Sequence, residues 1–159
     1  MPDITLLLTA LGSRTIKTRC DAVTRLGRSG DSLAVAPLVQ ALSDVHPAVR
    51  REATLALGRL GDDRAVPGLI KALADPDPEV RAGAIAALGR LKDRRAVIPL
   101  TGCLTDRDDR IRAGAAEVLG SLGDQRAAEP LSKAANDPFE GVREAASRAI
   151  TKLRKKFNT

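Results

Sequence analysis

Residues 75–104 read DPDPEVRAGAIAALGRLKDRRAVIPLTGCL. Val80, Ala84, Ala87, Leu88 and Leu91 recur at three-and-four spacing, so the segment from Pro78 to Leu91 is expected to form an amphipathic helix. Asp77, Pro78 and Glu79 mark its start: a capping residue, a proline where no amide donor is needed, and an acid at the positive end of the helix. A second periodic stretch, from about Arg95 to Leu104, puts Val97, Leu100 and Leu104 on one side. The first helix is termed A and the second B. Pro99 belongs in the opening turn of B, where amides have no intrahelical acceptor, and Asp93 just upstream supplies the turn or cap.

The same pattern returns every 31 residues without a gap. Asp44, Asp75, Asp106 and Asp137 form one column, and Arg19, Arg50, Arg81, Arg112 and Arg143 another. Gly27, Gly58, Gly89 and Gly120 make a third, placing glycine late in helix A, where it permits either close helix contact or an early end to the helix. Pro37 and Pro130 align with Pro99, and Pro67 lies one place earlier. The expected organisation is a single domain, residues 1–159. It opens with a helix B half-repeat at 2–12, continues through repeats at about 13–43, 44–74, 75–105 and 106–136, and closes with a helix A half-repeat at 137–156. Turns of two to five residues force neighbouring helices to lie antiparallel. One such unit buries too few apolar side chains to offset the ordering of its own chain, so units must stack and share a core. The fold class expected is therefore all-α, a right-handed α-solenoid of five stacked helix pairs.

Composition agrees with this architecture. The chain is 43% apolar and 29% charged, and Phe139 and Phe157 are its only aromatic residues, which favours closely packed helices over a sheet. Cys20 and Cys103 are too few for a disulfide framework and fall at different places in the repeat, so free thiols and a cytoplasmic location are expected. Asp3 precedes the apolar stretch Ile4–Leu11 where a secretory signal would carry positive charge, and no run reaches the roughly 18 apolar residues of a membrane span.

The signature in residues 75–104 resembles the HEAT-like repeats named after the phycobilisome lyases, and the likeness covers nearly the whole chain. That resemblance implies an internal ladder joining Asp44, Asp75, Asp106 and Asp137 to Arg50, Arg81, Arg112 and Arg143, and a concave surface lined by helix B. It implies little about activity, because the family includes subunits of bilin-attaching enzymes, many uncharacterised proteins and engineered binding scaffolds. Deoxyhypusine hydroxylase, a remoter helical-repeat relative, binds iron through His-Glu pairs; this sequence has one histidine, His46, and no such dipeptide.

Catalytic and metal chemistry find no foothold in the sequence. His46 occupies the capping position held by Asp77 and Asp108 in the following units, and no second histidine is available to share a zinc ion. Asp106, Asp108 and Asp109 are interleaved with arginines in a turn like its neighbours, and the serines have no histidine base other than His46. No cofactor, metal site or catalytic residue is expected.

Columns that vary at exposed positions of helix B are the expected recognition surface. They are Leu33, Arg64, Arg95 and Arg126; Ala36, Pro67, Ile98 and Glu129; and Gln40, Lys71, Gly102 and Lys133. The function expected is non-enzymatic protein binding through this face, with Arg64, Arg95 and Arg126 either a basic row for an acidic partner surface or a structural set paired with Asp63 or the turn acids. A formal charge of +6 keeps nucleic-acid or other polyanion binding as an alternative, and the family resemblance adds an accessory role in bilin attachment. No membrane association is expected. The apolar N-terminal helix, with Ile4, Leu6, Leu7, Leu8 and Leu11, offers a surface for homodimerisation.

Overall fold

The computed structural model describes residues 4–157, and every regular element among them is helical. The chain forms two compact units, Met1–Leu91 and Lys92–Thr159. The first contains α1 (Ile4–Ala10), α2 (Ile16–Ser29), α3 (Val35–Ala41), α4 (Pro47–Leu60), α5 (Val66–Ala72) and α6 (Pro78–Leu91). The second contains α7 (Val97–Cys103), α8 (Asp109–Leu122), α9 (Ala128–Ala134) and α10 (Glu140–Phe157). Odd-numbered helices are the B helices and even-numbered ones the A helices, giving three B-then-A pairs in the first unit and two in the second.

Helix A of the quoted stretch has the bounds its periodicity indicates, Pro78–Leu91. Helix B differs. Its α-helical part is only seven residues long, and a 3-10 turn precedes it at Ser32–Ala34, Asp63–Ala65, Arg94–Ala96 and Gln125–Ala127. The aspartate column makes these turns: Asp31, Asp62, Asp93 and Asp124 each accept the amide two residues on. Pro37, Pro67, Pro99 and Pro130 then lie within the first three α-helical residues, where their missing amide costs nothing. Among the described residues α1 covers Ile4–Ala10, the expected start of that half-repeat at residue 2 lying outside them, and α10 covers Glu140–Phe157, where the closing half-repeat is expected at 137–156.

In the first unit α2 packs on α4 and α4 on α6; in the second, α8 packs on α10. The glycine column serves close contact, and the helix ends come later. A β-carbon on Gly27 would sit 2.5 Å from the Ala56 β-carbon, and one on Gly120 would sit 2.7 Å from that of Ala149. The helices end three residues after Gly27, Gly58 and Gly120, at Gly30, Gly61 and Gly123, each with positive φ. Lys92 stands in that column with φ 54 and is the only non-glycine among the described residues with positive φ. The core of each unit lies between its A and B helices, with Leu38, Leu57 and Leu69 fully buried in the first and Leu100, Leu119 and Leu131 in the second.

Candidate functional site

The Asp and Arg columns meet as a charge-assisted clasp at the entrance to helix A. Asp44 receives two hydrogen bonds from Arg19, Asp75 two from Arg50 and Asp137 two from Arg112, at 2.7–3.0 Å. Each of these carboxylates also accepts the amide of the residue two places on, at His46, Asp77 and Phe139. Each arginine further donates to the backbone at the start of its own helix, as Arg50 does to the Asp44 carbonyl. Arg19 opens the series, one rung before the Arg50 that the resemblance placed first. Arg81 and Arg143 repeat the backbone half of the pattern on the carbonyls of Asp75 and Asp137, and Asp106 accepts the Asp108 amide. Burial alone would raise the carboxyls of Asp44 and Asp75, but the guanidinium and amide donors outweigh it and hold both below the usual range. Asp137 is lowered chiefly by its bonds to Arg112.

All twelve variable helix B residues are exposed: Leu33, Ala36, Gln40, Arg64, Pro67, Lys71, Arg95, Ile98, Gly102, Arg126, Glu129 and Lys133. The arginine row is not a set of free cations. Arg64 binds Asp62 at 2.6 Å, Arg95 binds Asp93 at 2.6 Å and Arg126 binds Asp124 at 2.9 Å, each through the aspartate that makes its own 3-10 turn. Arg64 also reaches the Ser32 carbonyl of the preceding turn, and Arg126 that of Arg94. The hydrogen bonds from Arg64 hold the Asp62 carboxyl down to about 2, and Asp93 and Asp124 are lowered for the same reason. The row therefore fixes the turns of helix B while leaving about half of each arginine side chain exposed.

Between successive B helices lie grooves that the sequence did not reveal. In the first unit one is lined by Leu8, Leu11, Pro37 and Gln40, with a volume near 470 Å³, and the next by Val39, Leu42, Pro67 and Lys71, near 350 Å³. In the second unit Thr101, Leu104, Pro130, Lys133 and Phe139 line one of about 570 Å³. The proline column, the ladder aspartates and the Gln40, Lys71 and Lys133 column thus meet in each groove.

His46 caps α4, its Nδ1 accepting the Ala48 amide, and Asp108 caps α8 through the Arg110 amide. Burial and the nearby Glu52 carboxylate push the Cys20 thiol up, away from nucleophilic character. Among the described residues no group of three or more His, Cys, Asp or Glu side chains is placed to hold a metal ion, and no helix is long and apolar enough to cross a membrane. On α1, Leu7 is buried, Ile4 and Leu8 are half-buried, and Leu6 is 70% exposed.

Residues 4–74 and 66–151 match HEAT repeats. In the solved complex of CpcE and CpcF of phycocyanin lyase from Nostoc sp. PCC7120, one chain is similar over 98% of this chain and 66% of its own length, at 30% identity and a TM-score of 0.83. This chain thus spans about two thirds of that relative. A designed armadillo repeat protein in complex with the peptide (KR)4 matches at 18% identity, covering 94% of this chain and 81% of its own, with a TM-score of 0.73. Human deoxyhypusine hydroxylase matches at 18% identity and a TM-score of 0.55, covering 96% and 84%. The latter two show the fold alone, an α-solenoid of helix pairs. No curated protein matches the sequence.

Proposed function

The chain belongs to the HEAT-repeat family, and from that premise we propose that it is a non-enzymatic scaffold that binds another protein through the exposed surface of its B helices. The observation that carries this reading is the recurrence of one groove between successive B helices, each with the same proline and aspartate framework but a changing lining: Gln40 with Leu8 and Leu11, Lys71 with Val39 and Leu42, and Lys133 with Leu104 and Phe139. A fixed frame with a changeable lining is what modular recognition requires. Exposed Leu33 and Ile98 add apolar contact area on the same helices.

The arginine row takes a supporting part in this reading. Arg64, Arg95 and Arg126 offer their exposed edges to an acidic partner surface while remaining bound to Asp62, Asp93 and Asp124. Because that pairing cancels most of the row's charge, binding of nucleic acid or another polyanion draws less support. It also makes charge reversal of the row a poor probe, since each new carboxylate would face an aspartate. A cleaner test puts a photo-crosslinking residue at Gln40, Lys71 or Lys133, and at Arg28 or Arg59 on helix A, in the native host. Adducts from the first three alone are expected; adducts from the helix A positions alone would overturn the reading.

Similarity to a phycocyanin lyase complex supports a second reading, an accessory subunit in bilin attachment. Coexpression with a bilin and its acceptor protein should then raise the yield of coloured adduct, and an unchanged yield would remove it. Exposed Leu6 supports end-to-end pairing of two copies through α1, which light scattering tests directly. The two free thiols fit a cytoplasmic setting.

A further inference from the structure

We infer that the groove between α7 and α9 is built to hold an aromatic side chain of an extended protein segment, with a carboxylate of that segment on Lys133. The inference rests on the scaffold reading above and gives one of its grooves a specificity.

Phe139 is the residue that sets this groove apart. In the preceding units its column holds His46, Asp77 and Asp108, and each accepts the amide two residues on, at 2.9–3.2 Å. Phenylalanine has no acceptor, so α10 begins without a side-chain cap, a substitution that by itself weakens a helix. The ring is half exposed and lines the groove beside Leu104, Pro130 and Ala134. The Arg112 guanidinium, which lines the same groove, lies over the ring 5.3 Å from its centroid and is itself held by two bonds to Asp137. One face of the ring is therefore occupied, and the half of its surface that stays exposed is an aromatic part of the groove lining. Aromatic partners pack against such a ring edge-to-face or offset. The volume of about 570 Å³ lies in the range of pockets that bury small ligands.

The electrostatics select the neighbour of the aromatic side chain. Among the residues lining the groove, Arg112 already neutralises Asp137. At the rim Lys133 is paired with Glu129 at 2.8 Å, but both side chains are more than three-quarters exposed. A pair so open to water is weak and exchanges readily for an incoming carboxylate. The equivalent groove in the first unit has Lys71 but no aromatic residue, and the one before it has Gln40 and neither cation nor ring.

The full-length chain, labelled with ¹⁵N, would be titrated at low salt with acetyl-Ser-Phe-Glu-Ser-amide, with the same peptide carrying Lys for Glu, and with Ala for Phe. Amide shifts clustered on Thr101, Thr105, Lys133 and Glu140 are expected with the Phe-Glu peptide, and binding at least about fivefold weaker with either of the other two. Phe139→Ser supplies a capping oxygen, so the variant stays folded and should lose the clustered shifts; Lys133→Gln should erase the preference for Glu over Lys. Undiminished binding by Phe139→Ser would overturn the inference. Shifts confined to the grooves of Gln40 and Lys71 would also overturn it while leaving the scaffold reading standing. Shifts confined to the A helices would count against both.

Discussion

The two kinds of helix in this protein obey the same period and solve opposite problems. Where helix A meets helix A, Gly27 lies against Ala56 and Gly120 against Ala149, so close that an added methyl has nowhere to go, and one on Gly58 would sit 3.1 Å from Ala87. Where helix B meets helix B, grooves of hundreds of cubic ångströms remain, and Gly102 on α7 has nothing within 4 Å of the place a β-carbon would occupy. The difference separates the tasks. The A seam sets the geometry through a constant glycine column at Gly27, Gly58 and Gly120, while the B surface carries exposed residues that differ from unit to unit.

Substitutions at matched glycines test that separation most severely. Gly27→Val forces side-chain bulk into the Ala56 backbone and should cost about 3 kcal/mol in urea denaturation, at the upper end of overpacking effects. Gly102→Ala, in the open face of helix B, should instead gain up to about 1 kcal/mol from helix propensity. Equal effects at the two sites would erase the distinction.

The next largest effect is expected in the ladder. Asp75→Asn removes the carboxylate that receives two bonds from Arg50 and should cost about 1–2 kcal/mol, discounted for the partial solvent access of the pair. The ladder also fixes the acid response. Asp44, Asp75 and Asp137 have folded-state pKa values below those of the unfolded chain, so their contribution is complete above the ordinary carboxylate range, near ~4, and is lost as pH falls through the lowered values. Melting temperature should be flat from neutrality to about pH 5 and decline below about pH 4, and Asp75→Asn should show a shallower decline than the parent. A smaller gain, about 1 kcal/mol of stability, is expected from Phe139→Ser as the cap of α10 is restored. Thermal denaturation beside the parent chain would reveal it.

Much of this was legible in the sequence. Spacing alone gave helix A its bounds, because Asp77, Pro78 and the run to Leu91 mark both ends of a 3.6-residue pattern. The ladder followed from two columns and a family resemblance. Helix B was harder to read, since a seven-residue α-helix behind a 3-10 turn leaves too short a pattern to locate its start. For the arginine row the sequence left a binding and a structural role open, because Arg64 follows Asp62 by two residues and only the turn geometry shows the guanidinium brought back onto that carboxylate. Grooves depend on how helices pack and leave no periodic trace. Phe139 did leave a signal, an aromatic residue in a column otherwise held by His46, Asp77 and Asp108.

The most direct test of the division between the two helix types is a charge-matched pair of variants. Lys71→Glu with Lys133→Glu alters exposed B positions, and Arg59→Glu with Arg90→Glu alters exposed A positions by the same total charge. Affinity for a partner captured from the native host, measured by calorimetry, should fall at least about tenfold for the first variant, equivalent to about 1.4 kcal/mol, and stay within error for the second. A loss confined to the second variant, or equal losses in both, would contradict the account.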